Sequence, residues 1–367
     1  NIDHYKVIER VNRRIRLGEA TFKNKIIPFP LVTEICDVLQ GFKALMKEYG
    51  VEEYELQATT AVREASNQVF LLDQIYNKTG LIVDVVDMPQ EIYTKFTAIR
   101  NTLKNERISS ERDGMLMMDI SSGGLGVTLV QDDNIRYQEN FHVGIIRIKE
   151  SFERNRRESM HFNKALTEFL SSTIGPVRRE LQQDSVQYLV LSGTETELLL
   201  KMLGLDTIQL VHRIKADDFH KFFQKMHQMN LPQIIETFNI PESLAELALP
   251  TVVLYEQLLH LILAKEIIIS ADNFIDGMQL LHIGKKTSPA LCKAWEQELI
   301  SLFHCIGQRY LYDKQHVRQV ERLSVLLFDK FANKYGMGDH ERLLLRGTCI
   351  LHDIGTVSYT HLRAHET

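Results

Sequence analysis

The stretch Met115 to Val130, MLMMDISSGGLGVTLV, constrains the fold of this chain more than any other. Met115 to Met118 is an apolar run that ends in Asp119, so it reads as a buried strand with a carboxylate at its end. Four small residues follow, Ser121, Ser122, Gly123 and Gly124, and Leu125 to Val130 resumes an apolar, β-rich pattern. The expected unit is strand, tight turn, strand. Small residues let backbone approach a ligand closely, and glycine supplies the positive φ that such a turn needs. Successive backbone N–H groups in a turn of this kind can form an anion-binding nest. A carboxylate beside a nest suits a hydrated Mg²⁺ that bridges to phosphate. Taken alone, the small-residue run fits an ordinary glycine-rich hairpin better than a phosphate loop.

The flanking sequence puts that hairpin in an α/β context. Lys6 to Glu9 and Arg14 to Leu17 alternate apolar and polar residues and read as short strands. Leu31 to Tyr49 has helical spacing at Ile35, Val38, Leu39, Phe42 and Leu45. Tyr54 to Ala58 and Leu81 to Val86 read as strands, Gln68 to Thr79 as a helix, and Pro89 suits the first turn of a helix reaching Leu103. Strand and helix in alternation imply helices packed on a sheet. After the hairpin, Ile135 to Val143 adds a strand and Gly144 to Phe152 begins a helix. Tyr188 to Leu191 is a short buried strand, and Ser192-Gly193-Thr194 makes a second small-residue turn into the helix Glu195 to Leu203. Thr194 with Glu197 fits a capping box, and the same turn sits at a strand-to-helix junction, where open α/β sheets bind ligands. Ile267 to Ser270 reads as a last strand and Ala271 to His282 as a helix before a break at Gly284 to Ser288.

From Pro289 to Gly355 the pattern is helical. Tyr312 to His316 opens a long amphipathic helix with Val320, Leu323, Leu327 and Phe328 expected inward. Leu343 to Asp353 is a second helix ending in His352-Asp353. His316 with His352 and Asp353 resembles the start of an HD-type metal site, for which imidazole and carboxylate ligands suit a divalent ion. The ligand set is incomplete here, so weak or no metal binding is expected.

At 367 residues the chain is long enough for two or three domains, and 44% hydrophobic residues supply sizeable cores. A net charge of −5 argues against a nucleic-acid binder. The four cysteines, Cys36, Cys292, Cys305 and Cys349, lack CxxC spacing and read as free thiols of a cytoplasmic protein. Polar and charged residues interrupt every long apolar segment, so no membrane span is expected. The first residue is Asn1 rather than Met, and residues 357–367 resemble a translated sequencing-library adaptor and are set aside.

In order along the chain, Arg16-Leu17-Gly18-Glu19, the segment Ala58 to Asn67 (ATTAVREASN), the Asp119 to Gly124 loop, His142 to Glu150 (HVGIIRIKE), Ser192-Gly193-Thr194, Leu249-Pro250 and the His316/His352-Asp353 pair resemble the exopolyphosphatase and guanosine-pentaphosphatase (Ppx/GppA) family. The resemblance implies two actin-like α/β domains of the sugar-kinase, ribonuclease-H-like type around a phosphate-binding cleft, followed by an all-α HD-like domain. The corresponding spans are 1–104, 109–283 and 289–356. It implies Arg63, Ser121 to Gly124 and Ser192 to Thr194 as phosphate-binding residues and Asp119 as the Mg²⁺ ligand, with no organic cofactor. The family's first strand and phosphate loop have no counterpart at the start of this sequence. Its catalytic glutamate, in an SGxEEA-like motif, is expected at Gln90, with Glu91 beside it but turned about 100° around the helix. Gly124 and Gly126 replace a serine and a glutamate of the family's second phosphate loop. Two functions are therefore open, with an HD-type phosphohydrolase acting through the last domain as a weaker third. One is a hydrolase releasing terminal phosphate from polyphosphate or pppGpp with a degraded catalytic motif. The other is a weak or inactive relative that binds polyphosphate or guanosine tetraphosphate as a sensor or scaffold. Neither requires nucleic acid or a membrane, and both are compatible with a homodimer.

Overall fold

A computed structural model describes residues 6–13, 15–108, 114–121, 123–132, 134–152, 162–175, 186–193, 195–260, 262 and 264–355. The first layer is small. Helices α1 (Leu17–Asn24) and α2 (Phe29–Glu48) precede strand β1 (Gln57–Ala58), the short α3 (Thr60–Arg63), α4 (Gln68–Thr79) and strand β2 (Asp84–Val85). β1 and β2 form a two-stranded parallel sheet. Helices α2 and α4 bury Ile35, Cys36, Leu39, Leu71 and Ile75 together with Val62, which follows from the 3.6-residue apolar spacing of α2. The strands expected over Lys6 to Glu9 and Arg14 to Leu17 are absent among the described residues: 6–13, 15 and 16 have no regular structure, and Leu17 already begins α1. That stretch has no neighbouring strand among the described residues to complete its hydrogen bonds.

α5 (Met88–Asn105) then leads to the second unit. Strands β3 (Gly114–Ile120), β4 (Leu125–Gln131) and β5 (Asn134–Phe141) form an antiparallel meander. α6 (Ile145–Glu150) and α7 (Phe162–Thr173) precede β6 (Val186–Gly193), which lies parallel to β3. After α8 (Thr196–Leu203) come β7 (Val211–Lys215), α9 (Ala216–His227), α10 (Leu231–Phe238), α11 (Glu242–Leu259), β8 (Glu266–Ser270) and α12 (Phe274–Thr287). The sheet order is β5-β4-β3-β6-β8-β7, with β8 parallel to β6 and β7 antiparallel at the edge. The continuous apolar runs of β3, β6 and β8 reflect burial on both faces. Leu116, Met118, Ile120, Leu189, Leu191, Ile267 and Ile269 face one core, shared with Phe219, Val253 and Leu254. Met115, Met117, Val190 and Ile268 face the other, where α5 lays Phe96, Ile99 and Leu103. All of α5 but Asn105 falls in the span 1–104, yet the helix packs on the six-stranded sheet.

α12 runs through Gly284 to Thr287, so the expected break narrows to Ser288, whose side chain caps α13 (Pro289–Arg309). α13 covers edge strand β5: Cys305 donates to the Ile135 carbonyl at 2.9 Å, and Arg309 pairs with Glu139 at 3.1 Å. α14 (Lys314–Tyr335) and α15 (Asp339–Leu351) complete the helical end around Ile300, Val317 and Ile350. The expectation that Leu323 and Leu327 point inward fails, since they are 48% and 59% exposed. Val317 is the buried residue of α14, which otherwise meets α15 through the ion pairs Glu321–Arg346 at 2.7 Å and Asp329–Arg342 at 3.0 Å. No helix among the described residues is long and apolar enough to cross a membrane.

Candidate functional site

The register of the large sheet assembles the site. Asp119, at the end of β3, lies opposite Gly126 of β4 on one side and Ser192 of β6 on the other. Ser192 Oγ donates to Asp119 Oδ1 at 3.1 Å. Gly193 follows at φ +120°, and a Cβ there would sit 1.8 Å from the Ile120 carbonyl oxygen, so only glycine lets β6 turn this close to β3. The hairpin turn is tied internally: Ser121 N–H donates to the Gly124 carbonyl at 2.9 Å and Gly124 N–H to Ser121 Oγ at 3.1 Å. Two amides expected to form an anion nest are therefore engaged within the turn. Gly123 is pressed against the first unit, because a Cβ at this position would meet Phe22 and Thr60 at 2.7 Å. Ser122 and Thr194 lie outside the described residues.

Helix α5 supplies the facing side. Asp87 caps it by accepting from Gln90 N–H at 2.8 Å, which fixes the phase of its first turn. That phase leaves Gln90 on the exposed side and buries Glu91. The assignment of Gln90 to the site is thereby corrected: the 100° step between neighbours carries the carboxylate of Glu91, not the amide of Gln90, into the cleft. Glu91 Oε2 accepts from Thr60 Oγ1 at 3.2 Å and pairs with Arg63 at 3.3 Å. Arg63 also donates to the Val86 carbonyl at 2.6 Å and to Thr60 Oγ1 at 2.8 Å.

One residue that the sequence reading missed joins the two carboxylates. Lys95, one turn after Glu91, lies 3.2 Å from Glu91 Oε1 and 2.7 Å from Asp119 Oδ2, and its side chain is only 12% exposed. Burial alone would lower its pKa; the charges of Asp119 and Glu91 outweigh burial and hold it above the ordinary lysine value. The result is a chain of alternating charge, Arg63–Glu91–Lys95–Asp119, running from the first unit to the sheet. Thr60, Met88, Asn140 and the turn line a remaining cavity of about 10 Å³, room for one water. A second ionic cluster flanks it. Arg147 donates to the Gly123 carbonyl at 2.6 Å, stacks over Phe22 at 4.4 Å and pairs with Glu64, which Lys25 meets at 3.3 Å. Burial raises the Glu64 pKa, but Arg147 and Lys25 more than offset it and hold the carboxyl below its usual value.

Sequence comparison shows which family the chain belongs to. A model of the Ppx/GppA phosphatase family matches residues 2–281. The chain belongs to the Ppx/GppA family. Among curated proteins, it is 22% identical over 360 residues to the guanosine-5'-triphosphate,3'-diphosphate pyrophosphatase of Aliivibrio fischeri, covering 95% of this chain and 67% of that protein. It is 23% identical over 159 residues, 43% of its length, to a bifunctional 3-dehydroquinate synthase/phosphatase of Fusobacterium nucleatum, and spans only 23% of that protein. The Aquifex aeolicus Ppx/GppA structure aligns with a TM-score of 0.61 at 19% identity, over 74% of this chain and 87% of the other. An exopolyphosphatase from Cytophaga hutchinsonii gives 0.62 at 18%, over 72% and 87%. These likenesses establish the actin-like Ppx/GppA fold.

The structure also brings His316, His352 and Asp353 together, far from the cleft in sequence. His316 Nε2 lies 3.2 Å from His352 Nε2, and Asp353 Oδ2 lies 3.5 and 3.0 Å from the two imidazoles. Residues 357–367 lie outside the described residues.

Proposed function

We propose that the cleft hydrolyses a terminal phosphoanhydride, with polyphosphate or pppGpp as substrate, and that Glu91 takes the proton from the attacking water. The observation that carries the reading is the Arg63–Glu91–Lys95–Asp119 chain beside the glycine-rich turn. At rest, both cations are engaged by carboxylates. An arriving phosphate competes for Arg63 and Lys95, and each cation it draws away frees an oxygen of Glu91. A water held between that oxygen and phosphorus then attacks: its proton passes to Glu91, the new P–O bond forms, and the bridging P–O bond breaks as the shortened chain leaves. General-base help of this kind contributes about 10²–10⁴ in rate.

The family resemblance brings Mg²⁺ with Asp119 as ligand. Asp119 and Glu91 have suitable oxygen donors, but Lys95 Nζ stands 2.7 and 3.2 Å from them. A hydrated divalent ion, which keeps several waters, does not fit while Lys95 holds both carboxylates. Positive charge beside the phosphate comes instead from Lys95 and Arg63.

The same lysine supports a second reading, a protein that retains polyphosphate or guanosine tetraphosphate without turnover. Phosphate release from polyphosphate and pppGpp, measured with retention of labelled ligand, separates the two. Release that falls in Glu91→Gln supports hydrolysis; retention without release supports the sensor; neither signal sinks both. The C-terminal helices with His316, His352 and Asp353 are read as the start of an HD-like domain. The free thiols Cys36, Cys292, Cys305 and Cys349 fit a cytoplasmic location.

A further inference from the structure

A second cluster of metal-ligand chemistry lies away from the cleft, on the helices covering the opposite core. Glu256 and His260 are four residues apart at the end of α11, so they share one face. His220 reaches the same point from α9, whose Phe219 and Phe223 are buried in the core that α11 also lines. Glu256 is 1% exposed. Its Oε1 lies 2.5 Å from His220 Nδ1 and 3.1 Å from His260 Nε2. Its Oε2 is buried and has no hydrogen-bond partner among the described residues. A buried carboxylate is costly unless its charge is compensated, and Oε1, the oxygen that faces both imidazoles, is where a cation would compensate it. Both imidazoles stay partly exposed, at 47% and 63%.

We propose that His220, Glu256 and His260 form a zinc site that staples α9 to α11. Two imidazoles and one carboxylate are the donor set of open, three-ligand zinc sites, with the fourth position left to solvent. The three ligand atoms already lie within 4.8 Å of one another. Tetrahedral bonds of about 2.0–2.2 Å set donors about 3.4 Å apart, so the 2.5 Å contact needs to open by under about 1 Å. The exposed His220 side chain can make that shift by a small rotation. Magnesium is disfavoured because its preferred ligands are oxygens. Gln224 supplies an outer contact, its Nε2 being 3.4 Å from His220 Nε2. With Nδ1 on the metal, Nε2 carries the proton, and the Gln224 amide turns its oxygen to accept it.

The test is zinc retention by the whole chain. Protein loaded with ZnCl₂ and desalted is analysed for metal, comparing wild type, His220→Ala/His260→Ala and His352→Ala; the last controls for the other His cluster. The expected result is one equivalent lost in the double variant and kept in His352→Ala. A rise in Tm with ZnCl₂ should likewise disappear only in the double variant. Single His260→Gln, checked for native circular dichroism, repeats the test if the double variant folds poorly. The proposal is overturned if the wild type retains no zinc, or if the double variant retains as much as the wild type.

Discussion

Lys95→Met removes the ammonium between Glu91 and Asp119 and keeps the length of an unbranched side chain. Glu91, Lys95 and Asp119 have side-chain exposures of 9%, 12% and 13%, so solvent screens them little. Removing one partner of a buried pair costs about 3–5 kcal/mol, because the remaining charge is left uncompensated. Arg63 still compensates Glu91, which argues for the lower end, about 3 kcal/mol. At about 2–4 °C per kcal/mol for a cooperative unit of about 150–250 residues, Tm should fall by about 6–12 °C. The measurement is thermal unfolding in EDTA and in MgCl₂. In EDTA the variant should show the full loss. In MgCl₂ it should recover part of it, because two freed carboxylates become ligands for a hard cation and binding stabilises by mass action. The wild type should respond little to either. Equal Mg²⁺ responses in the two proteins, or an unchanged Tm in the variant, would refute the idea that Lys95 occupies the cation position.

Glu91→Gln should reduce phosphate release by about 10²–10⁴, whereas Gln90→Ala should leave it nearly unchanged; initial rates with polyphosphate and pppGpp decide. Gly193→Ala should destabilise by more than the about 1–3 kcal/mol of a strained backbone conformation, because its Cβ would also overlap the Ile120 carbonyl; urea midpoints report it. Glu64 has a lowered pKa in the folded state, so its contribution is present above its unfolded value, about 4.3, and is lost as pH falls through the lower folded value. Acid titration of stability should therefore flatten in Glu64→Gln in that window.

The hairpin and the small-residue turns were legible because their signals are local: an apolar run, a glycine cluster, then a second run. β6 and β8 stood out for the same reason. β7 was not, since Val211-His-Arg-Ile-Lys215 is a mostly polar edge strand whose only strand neighbour among the described residues is β8. The strands expected at the start failed because alternation records amphipathicity, not the presence of a pairing partner. At the site, Asp119 and the Ser192-Gly193 turn stood out from local pattern, and Arg63 only through the family resemblance of its segment. Choosing between Gln90 and Glu91 depended on helix phase, which the Asp87 cap and the buried face of α5 set. Lys95 carried no signal, because a lysine on an amphipathic helix is usually a solvated residue. Its role follows only from the approach of α5 to the end of β3. Leu323 and Leu327 repeat at a helical period, and periodicity names a face without naming what covers it.

Helix α5 gives the cleft a mechanical property. Glu91 and Lys95 ride on a helix whose Phe96, Ile99 and Leu103 are anchored in the core of the large sheet, so they move with Asp119. Arg63 belongs to the smaller unit and is fastened there by Thr60 and the Val86 carbonyl. Any movement of the smaller unit away from the sheet would pull Arg63 off Glu91 while leaving Lys95 and Asp119 in register. Jaw opening and the unmasking of the carboxylate would then be a single displacement, and the width of the cleft would set the charge that a bound phosphate meets.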